Sequence, residues 1–236
     1  MCSPAELRPK RAGKPLRGDR GGGRGGLPRI AGVGRGDADE NPVRGRVLGV
    51  VLVGGASRRM GTDKAWVPYL GKPLALHMAE MLRAACDQVA LVGGPVERGY
   101  DRLGLPWWPD APGLAGAGPL AGLLTALQIA PAILLVACDL PHLDVQILRR
   151  LLAASGQAPV AIPQISGRIE PLAAVYRRAA IPVGLASLAI GSGRMSDLLG
   201  VSGARLVPGE CLGTPQELAF AFHNVNSPND LELVSG

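Results

Sequence analysis

Cysteine and histidine are scarce in this 236-residue chain, and neither is clustered. Cys2, Cys86, Cys138 and Cys211 lie far apart with no C-x-x-C pair, and His77, His142 and His223 are scattered too. That spacing suggests neither a zinc site nor a disulfide framework. Long apolar runs are missing as well. The most apolar stretch, AILLVACDL from Ala132 to Leu140, already contains Asp139 and falls well short of the ~20 residues needed to cross a bilayer. Before Arg46 there is no apolar core of the kind a secretory signal requires. A cytoplasmic chain without a membrane role is expected.

Apolar residues are scarce at the start of the chain. Met1 to Arg44 holds ten glycines, one isoleucine, two valines and no aromatic residue, with ten Lys or Arg against five Asp or Glu, so +5 of the formal +6 sits there. Such a segment cannot bury enough surface to offset the entropy of ordering. Residues 1–44 are therefore expected to be a disordered Gly/Arg-rich extension. A basic tail of this kind can bind nucleic acid electrostatically, but a solvated extension is the plainer reading, and no specific nucleic-acid partner is assigned. Residues 45–236 are expected to form one domain with one sizeable core.

Within that domain, RVLGVVLV (46–53) is β-branched and apolar, the pattern of a strand covered on both faces in a parallel sheet. LALHMAEMLRAAC, after Pro73 in a first helical turn, has helical spacing at Leu74, Met78, Met81, Leu82 and Ala85. QVALVGG reads as strand, Gly118 to Ile129 as a helix opened by Pro119, AILLVAC as strand and VQILRRLLAAS as helix. Alternation at this spacing predicts an α/β fold, a doubly wound, mostly parallel sheet with helices on both faces and ligands at the carboxyl ends of its strands. APVAIPQIS and IEPLAAVYRR read as strands that complete the sheet or form a small antiparallel addition.

Two special features fall at such strand ends. In LVGGASRRMGTDKAW (52–66), glycines let backbone N–H groups approach a phosphate closely, and Arg58, Arg59 and Lys64 supply positive charge. A tight turn with a solvated basic cluster is the bland alternative. No G-x-x-x-x-G-K-[ST] loop and no G-x-G-x-x-G can be written here, and GAGPLAG (116–122) misses the dinucleotide spacing by one. The second feature is Asp139, a carboxylate ending an apolar strand. It is a candidate ligand for Mg²⁺, which takes a few carboxylate oxygens together with substrate phosphates and water. Asp139 could instead cap the following helix, although Asp144 is the better cap.

The loop LVGGASRRMGTDKA resembles the Leu-x-Gly-Gly-x-Ser-x-Arg-Met-Gly-x-Asp-Lys signature of the MobA-like nucleotidyltransferases. GPLAG (118–122), CDLP (138–141), EPLAAVYRR (170–178) and NVNSPNDL (224–231) follow in the family's order, and the resemblance runs from about Val47 to the end. The closing segment is similar to that of the molybdenum cofactor guanylyltransferases. The resemblance implies a Rossmann-like nucleotidyltransferase fold and transfer of GMP from GTP to the terminal phosphate of Mo-molybdopterin, releasing pyrophosphate. It implies that Lys64, with Arg58 or Arg59, holds the β and γ phosphates while Gly54 and Gly55 offer backbone N–H groups. It also places GTP contacts on Leu52, Val53, Gly54, Lys64, Asp110 and Asp139, and Mg²⁺ on Asp139 and Asn226. Asn226 reads equally well as a turn signal. Arg168, Arg177 and Arg194 are candidate contacts to the acceptor, or solvated surface charges. Molybdoenzyme maturation proteins are implied partners.

The chain departs from the family pattern in two places: Val53 stands where alanine is usual, and LVGGP (91–95) has glycine where an asparagine contact to nucleotide is common. The cytidylyltransferase of the same pathway, other small-molecule nucleotidyltransferases and a non-catalytic nucleotide-binding adaptor remain alternatives. Intact Lys64 and Asp139 argue against the adaptor.

Overall fold

The computed structural model describes residues 47–54 and 63–225. Its elements run β1 (Leu48–Leu52), β2 (Pro68–Tyr69), β3 (Lys72–Pro73), α1 (Leu74–Arg83), β4 (Gln88–Val92), β5 (Trp107–Trp108), α2 (Pro119–Ile129) and β6 (Ala132–Ala137). They continue with α3 (Val145–Ser155), β7 (Val160–Ile165), β8 (Arg168–Ile169), β9 (Ala173–Arg177), α4 (Ile181–Ala189), β10 (Arg205–Pro208) and α5 (Pro215–Ala221). The calls for extension 1–44 and most of the glycine–arginine loop lie outside the described residues.

One sheet organises the molecule, in the order β10-β7-β9-β6-β1-β4-β5, with β8 paired to β7. The pairs β6–β1, β1–β4, β4–β5 and β10–β7 are parallel, while β9 runs antiparallel between β6 and β7. Thus IEPLAAVYRR does complete the sheet, from inside it. Because successive strand residues point to opposite faces, the apolar strands feed two cores. Val51, Leu91, Leu134 and Val136 pack with Leu74, Met78 and Leu82 of α1 and Ile147, Leu148 and Leu151 of α3. Val50, Ala90, Ile133 and Leu135 pack on the other face with Leu120, Leu123, Leu124 and Leu127 of α2. Helices therefore cover both faces, as the uninterrupted apolar strands require.

Pro73 does not begin the first helix. It pairs with Pro68 in the short β2–β3 hairpin and stands just before α1, where the N–H of Leu74 donates to the Val67 carbonyl. Asp144 caps α3, its carboxylate accepting from the N–H of Gln146 at 2.6 Å, which leaves Asp139 free of that task.

The register sets where the site lies. Leu52 is level with Val92 on one side and Ala137 on the other, and Val92 with Trp108. Four parallel strands thus end in one row, and whatever follows each of them emerges at the same edge.

Candidate active site

That edge opens into a cleft of about 820 Å³, lined among others by Leu52, Val53, Gly54, Lys64, Asp110 and Asp139. Each reaches it because it follows or ends one of the aligned strands, or, for Lys64, because the 3₁₀ turn Lys64–Trp66 returns the loop to the sheet. Gly55, Arg58, Arg59 and Asn226 lie outside the described residues.

Glycines let the neighbouring loops interlock. Gly54 has φ +94°, and a Cβ there would sit 2.2 Å from Cα of Gly94. At Gly93 (φ +104°) it would meet the Val53 carbonyl oxygen at 2.5 Å, and at Gly94 (φ +71°) the ring of Tyr100 at 2.6 Å. Positive φ strongly favours glycine, and contacts this close leave no room for a Cβ. The glycines of LVGGP are therefore built into the packing of this chain: a side chain at either position would collide with the wall that carries the loop. The indole N–H of Trp107 closes the arrangement by donating to the Gly93 carbonyl at 3.0 Å.

Lys64 and Asp139 meet across the cleft. The Lys64 ammonium donates to the carbonyl of Val225 at 2.8 Å, and the N–H of Val225 donates to the backbone carbonyl of Asp139 at 2.9 Å. The segment leading to Asn226 is thereby held between the two residues. Oδ1 of Asp139 is buried and, among the described residues, accepts no hydrogen bond. Burial pushes the Asp139 carboxyl above its ordinary range, and the nearby Lys64 charge pulls it back in part. A buried carboxylate oxygen without a donor, beside a cationic side chain, is suited to a hard cation and to phosphate oxygens.

Other acidic groups border the cleft. Asp110, after β5, is raised by burial and steadied by the backbone N–H of Gly94. Glu170, not singled out from the sequence and not itself among the cleft residues, precedes β9 in a turn closed by the Ala173 N–H donating to the Glu170 carbonyl at 3.2 Å. Burial raises its carboxyl too, with Arg168 lowering it and Asp139 raising it further. Leu172, two residues on, lines the cleft. The start of α2 forms the opposite lip: Gly118, at the helix N-terminus with φ +67° and no side-chain cap, and Gly116 both line it. GAGPLAG, a poor dinucleotide motif, is thus this rim, and its glycine content was the signal.

Of the three arginines considered for the acceptor, Arg168 lies at the carboxyl edge on β8. Arg177 does not: β9 runs antiparallel, so Arg177 is paired with Ala132 at the opposite edge and donates to the Ala158 and Gly156 carbonyls. Arg194 precedes the 3₁₀ turn Met195–Gly200 and is not among the cleft residues.

The histidines, scattered in sequence, gather behind Asp139. His77 donates through Nε2 to the Pro141 carbonyl at 2.9 Å, His142 shares a 3.3 Å hydrogen bond with the Tyr69 hydroxyl, and Phe220 stacks on His142. The charges of His223 and His77 add to burial in lowering the basicity of His142. Among the described residues no group of three or more His, Cys, Asp or Glu forms a metal site. These side chains brace the turn that follows Asp139.

Residues 49–204 match the MobA-like NTP transferase domain. The chain belongs to this family. It is 35% identical over 188 residues to the probable molybdenum cofactor guanylyltransferase of Pelotomaculum thermopropionicum, covering 79% of this chain and 90% of that protein. It is 38% identical over 194 residues to the molybdenum cofactor guanylyltransferase of Rhodobacter capsulatus, covering 79% and 93%. The fold matches the crystal structure of molybdopterin-guanine dinucleotide biosynthesis protein A from Archaeoglobus fulgidus with TM-score 0.67 at 24% identity, over 79% of this chain and 96% of that one. The protein is accordingly a nucleotidyltransferase with a Rossmann-like α/β fold. Among the described residues no helix is long and apolar enough to cross a membrane.

Proposed function

We propose that this member of the MobA-like family transfers GMP from GTP to the terminal phosphate of Mo-molybdopterin, forming the molybdopterin guanine dinucleotide and releasing pyrophosphate. The observation that carries the chemistry is the pairing, in one cleft at the carboxyl edge, of the Lys64 ammonium with the unpartnered Oδ1 of Asp139. The names of the relatives supply the base and the acceptor.

An acceptor phosphate oxygen attacks the α-phosphorus, the bond to the β-phosphate breaks, and pyrophosphate leaves with the electron pair. Such a reaction asks the protein for in-line positioning and for positive charge where negative charge gathers. Lys64 answers the second need at the β and γ phosphates, joined by Arg58 in this reading. Gly54 and Gly55 present backbone N–H groups to the phosphates. Leu52 and Val53 floor the nucleotide side, with Asp110 and Glu97 as the carboxylates able to accept from guanine N–H groups. Asp139, with Asn226, would hold Mg²⁺; the hard, donor-free oxygen of Asp139 fits that ion. The ion would supply charge neutralisation at the α-phosphate.

Calorimetric titration with GTP, CTP and ATP, each with Mg²⁺, tests the reading in the wild type and in Asp139→Ala. Preference for GTP, weakened in the variant, is expected. Preference for CTP would move the enzyme to cytidylyl transfer, and absence of nucleotide binding would overturn the reading.

A further inference from the structure

Asp63 is the last residue of the signature before Lys64, and its carboxylate is spent differently from that of Asp139. Oδ1 accepts the N–H of Ala65 at 3.1 Å, capping the 3₁₀ turn that begins with Lys64. Oδ2 accepts from the Arg98 guanidinium at 3.0 Å and from the Tyr100 hydroxyl. The Asp63 side chain is only 16% exposed and Tyr100 is fully buried. Both oxygens of Asp63 are thus committed to the protein, in a setting where charge-assisted hydrogen bonds are strong.

The donors come from the opposite wall. Arg98 and Tyr100 lie in the connection from β4 to β5, whose first residues, Gly94 to Glu97, line the nucleotide side of the cleft. The same connection is pinned at two further points: the Trp66 indole donates to the Arg98 carbonyl at 3.2 Å, and the Tyr100 ring fills the space beside Gly94 where any Cβ would collide. One carboxylate therefore joins the turn that aims Lys64 to the wall that faces the base.

We propose that Asp63, Arg98 and Tyr100 form a positioning network that orients Lys64 toward the triphosphate and ties that orientation to the Gly94–Glu97 wall. This rests on the reading above, in which Lys64 holds the β and γ phosphates. With both Asp63 oxygens engaged by Ala65, Arg98 and Tyr100, the three residues act through Lys64.

A double-mutant cycle on the purified full-length protein separates such coupling from a general structural role. Binding of GTP·Mg²⁺ and of CTP·Mg²⁺ is measured calorimetrically for the wild type, Tyr100→Phe, Lys64→Ala and the double variant, with the thermal midpoint as a check on folding. Removing the hydroxyl should weaken binding of the preferred triphosphate about 5- to 10-fold, the effect of one typical intramolecular hydrogen bond. In the Lys64→Ala background the same change should cost less than about 2-fold, and binding of GMP, which lacks the β and γ phosphates, should stay the same. Arg98→Ala, at a partly exposed residue, repeats the cycle if Tyr100→Phe does not fold. Equal losses with and without Lys64 would overturn the network. A coupled cycle with CTP preferred would uphold the network and overturn the guanylyl reading, and failure of both triphosphates to bind would overturn both.

Discussion

The two walls of the cleft are built by opposite strand directions. On one side β1, β4 and β5 run parallel and end level with one another, so the cleft residues are those that come after a strand: Val53 and Gly54, Gly94, Asp110. On the other side β9 runs antiparallel, and what reaches the cleft is Leu172, just before the strand. The rule that ligands sit at carboxyl ends finds the first set and misplaces the second. Arg177 shows the consequence, since it ends β9 and lies at the far edge, bound to the Ala158 carbonyl. The cleft thus sits at a seam between a parallel half rich in close backbone approaches and glycine and a half entered through an inverted strand.

Asp139 stands on the seam, and its removal should have the largest effect. In Asp139→Ala, turnover with GTP and Mo-molybdopterin should fall by ~10³ or more, given what loss of a charge-stabilising group costs at such sites. Stability should move the other way. The native carboxyl is raised by burial, so the apo native state holds its proton more tightly than the unfolded chain. Its stability is therefore lost as pH rises above the ordinary carboxylate range, and the penalty persists at neutral pH. Asp139→Asn without Mg²⁺ or nucleotide should melt at or above the wild-type temperature at pH 7, and the difference should close on acidification to about pH 3. A clear drop in melting temperature at pH 7 would mean that the ionised carboxylate is a structural group after all.

Lys64→Ala should come next, slowing transfer on the order of 10²-fold while ATP, CTP and GTP all bind more weakly, because a lysine acts on phosphates as a point charge without base preference. A loss confined to GTP would shift Lys64 from the phosphate side to base recognition.

What could be read from the sequence follows the same division. β1, β4, β6, α1, α2 and α3 were legible because each carries its own period and its own punctuation, such as Pro119 at the start of α2 and Asp144 before α3. Leu52, Val53, Gly54, Lys64, Asp110 and Asp139, singled out as nucleotide contacts, all line one cleft. Glu170 and the Asp63–Arg98–Tyr100 contacts were not legible, because strand direction and a contact across 35 residues leave no mark on local spacing. The gathering of His77 and His142 behind Asp139 was hidden for the same reason. Two-residue strands such as β5 and β8 are too short to show alternation.

The parallel half depends on close backbone approach, and glycine substitutions can isolate that term. Gly54 and Gly104 both have positive φ, +94° and +70°, but a Cβ at Gly104 meets nothing within 4 Å whereas one at Gly54 strikes Gly94. Gly104→Ala should cost about 1 kcal/mol from backbone strain alone. Gly54→Ala should cost on the order of 3 kcal/mol, since two backbones must separate as well. Chemical denaturation of the two variants measures the difference; equal costs would show that φ, and not the interlock with Gly94, keeps glycine at position 54.

The smallest expected effect tests the inverted side. The Asp139 charge disfavours ionisation of Glu170, which stands two residues before the cleft residue Leu172. If the triphosphate lies near Asp139, one negative charge fewer at position 170 should strengthen its binding. Screened by solvent and salt at a partly exposed site, the gain in Glu170→Gln should be about 2- to 3-fold at low ionic strength and should shrink as salt is added. The sign carries the information. Weaker GTP binding in Glu170→Gln would mean that this carboxylate supports the bound nucleotide and does not repel it.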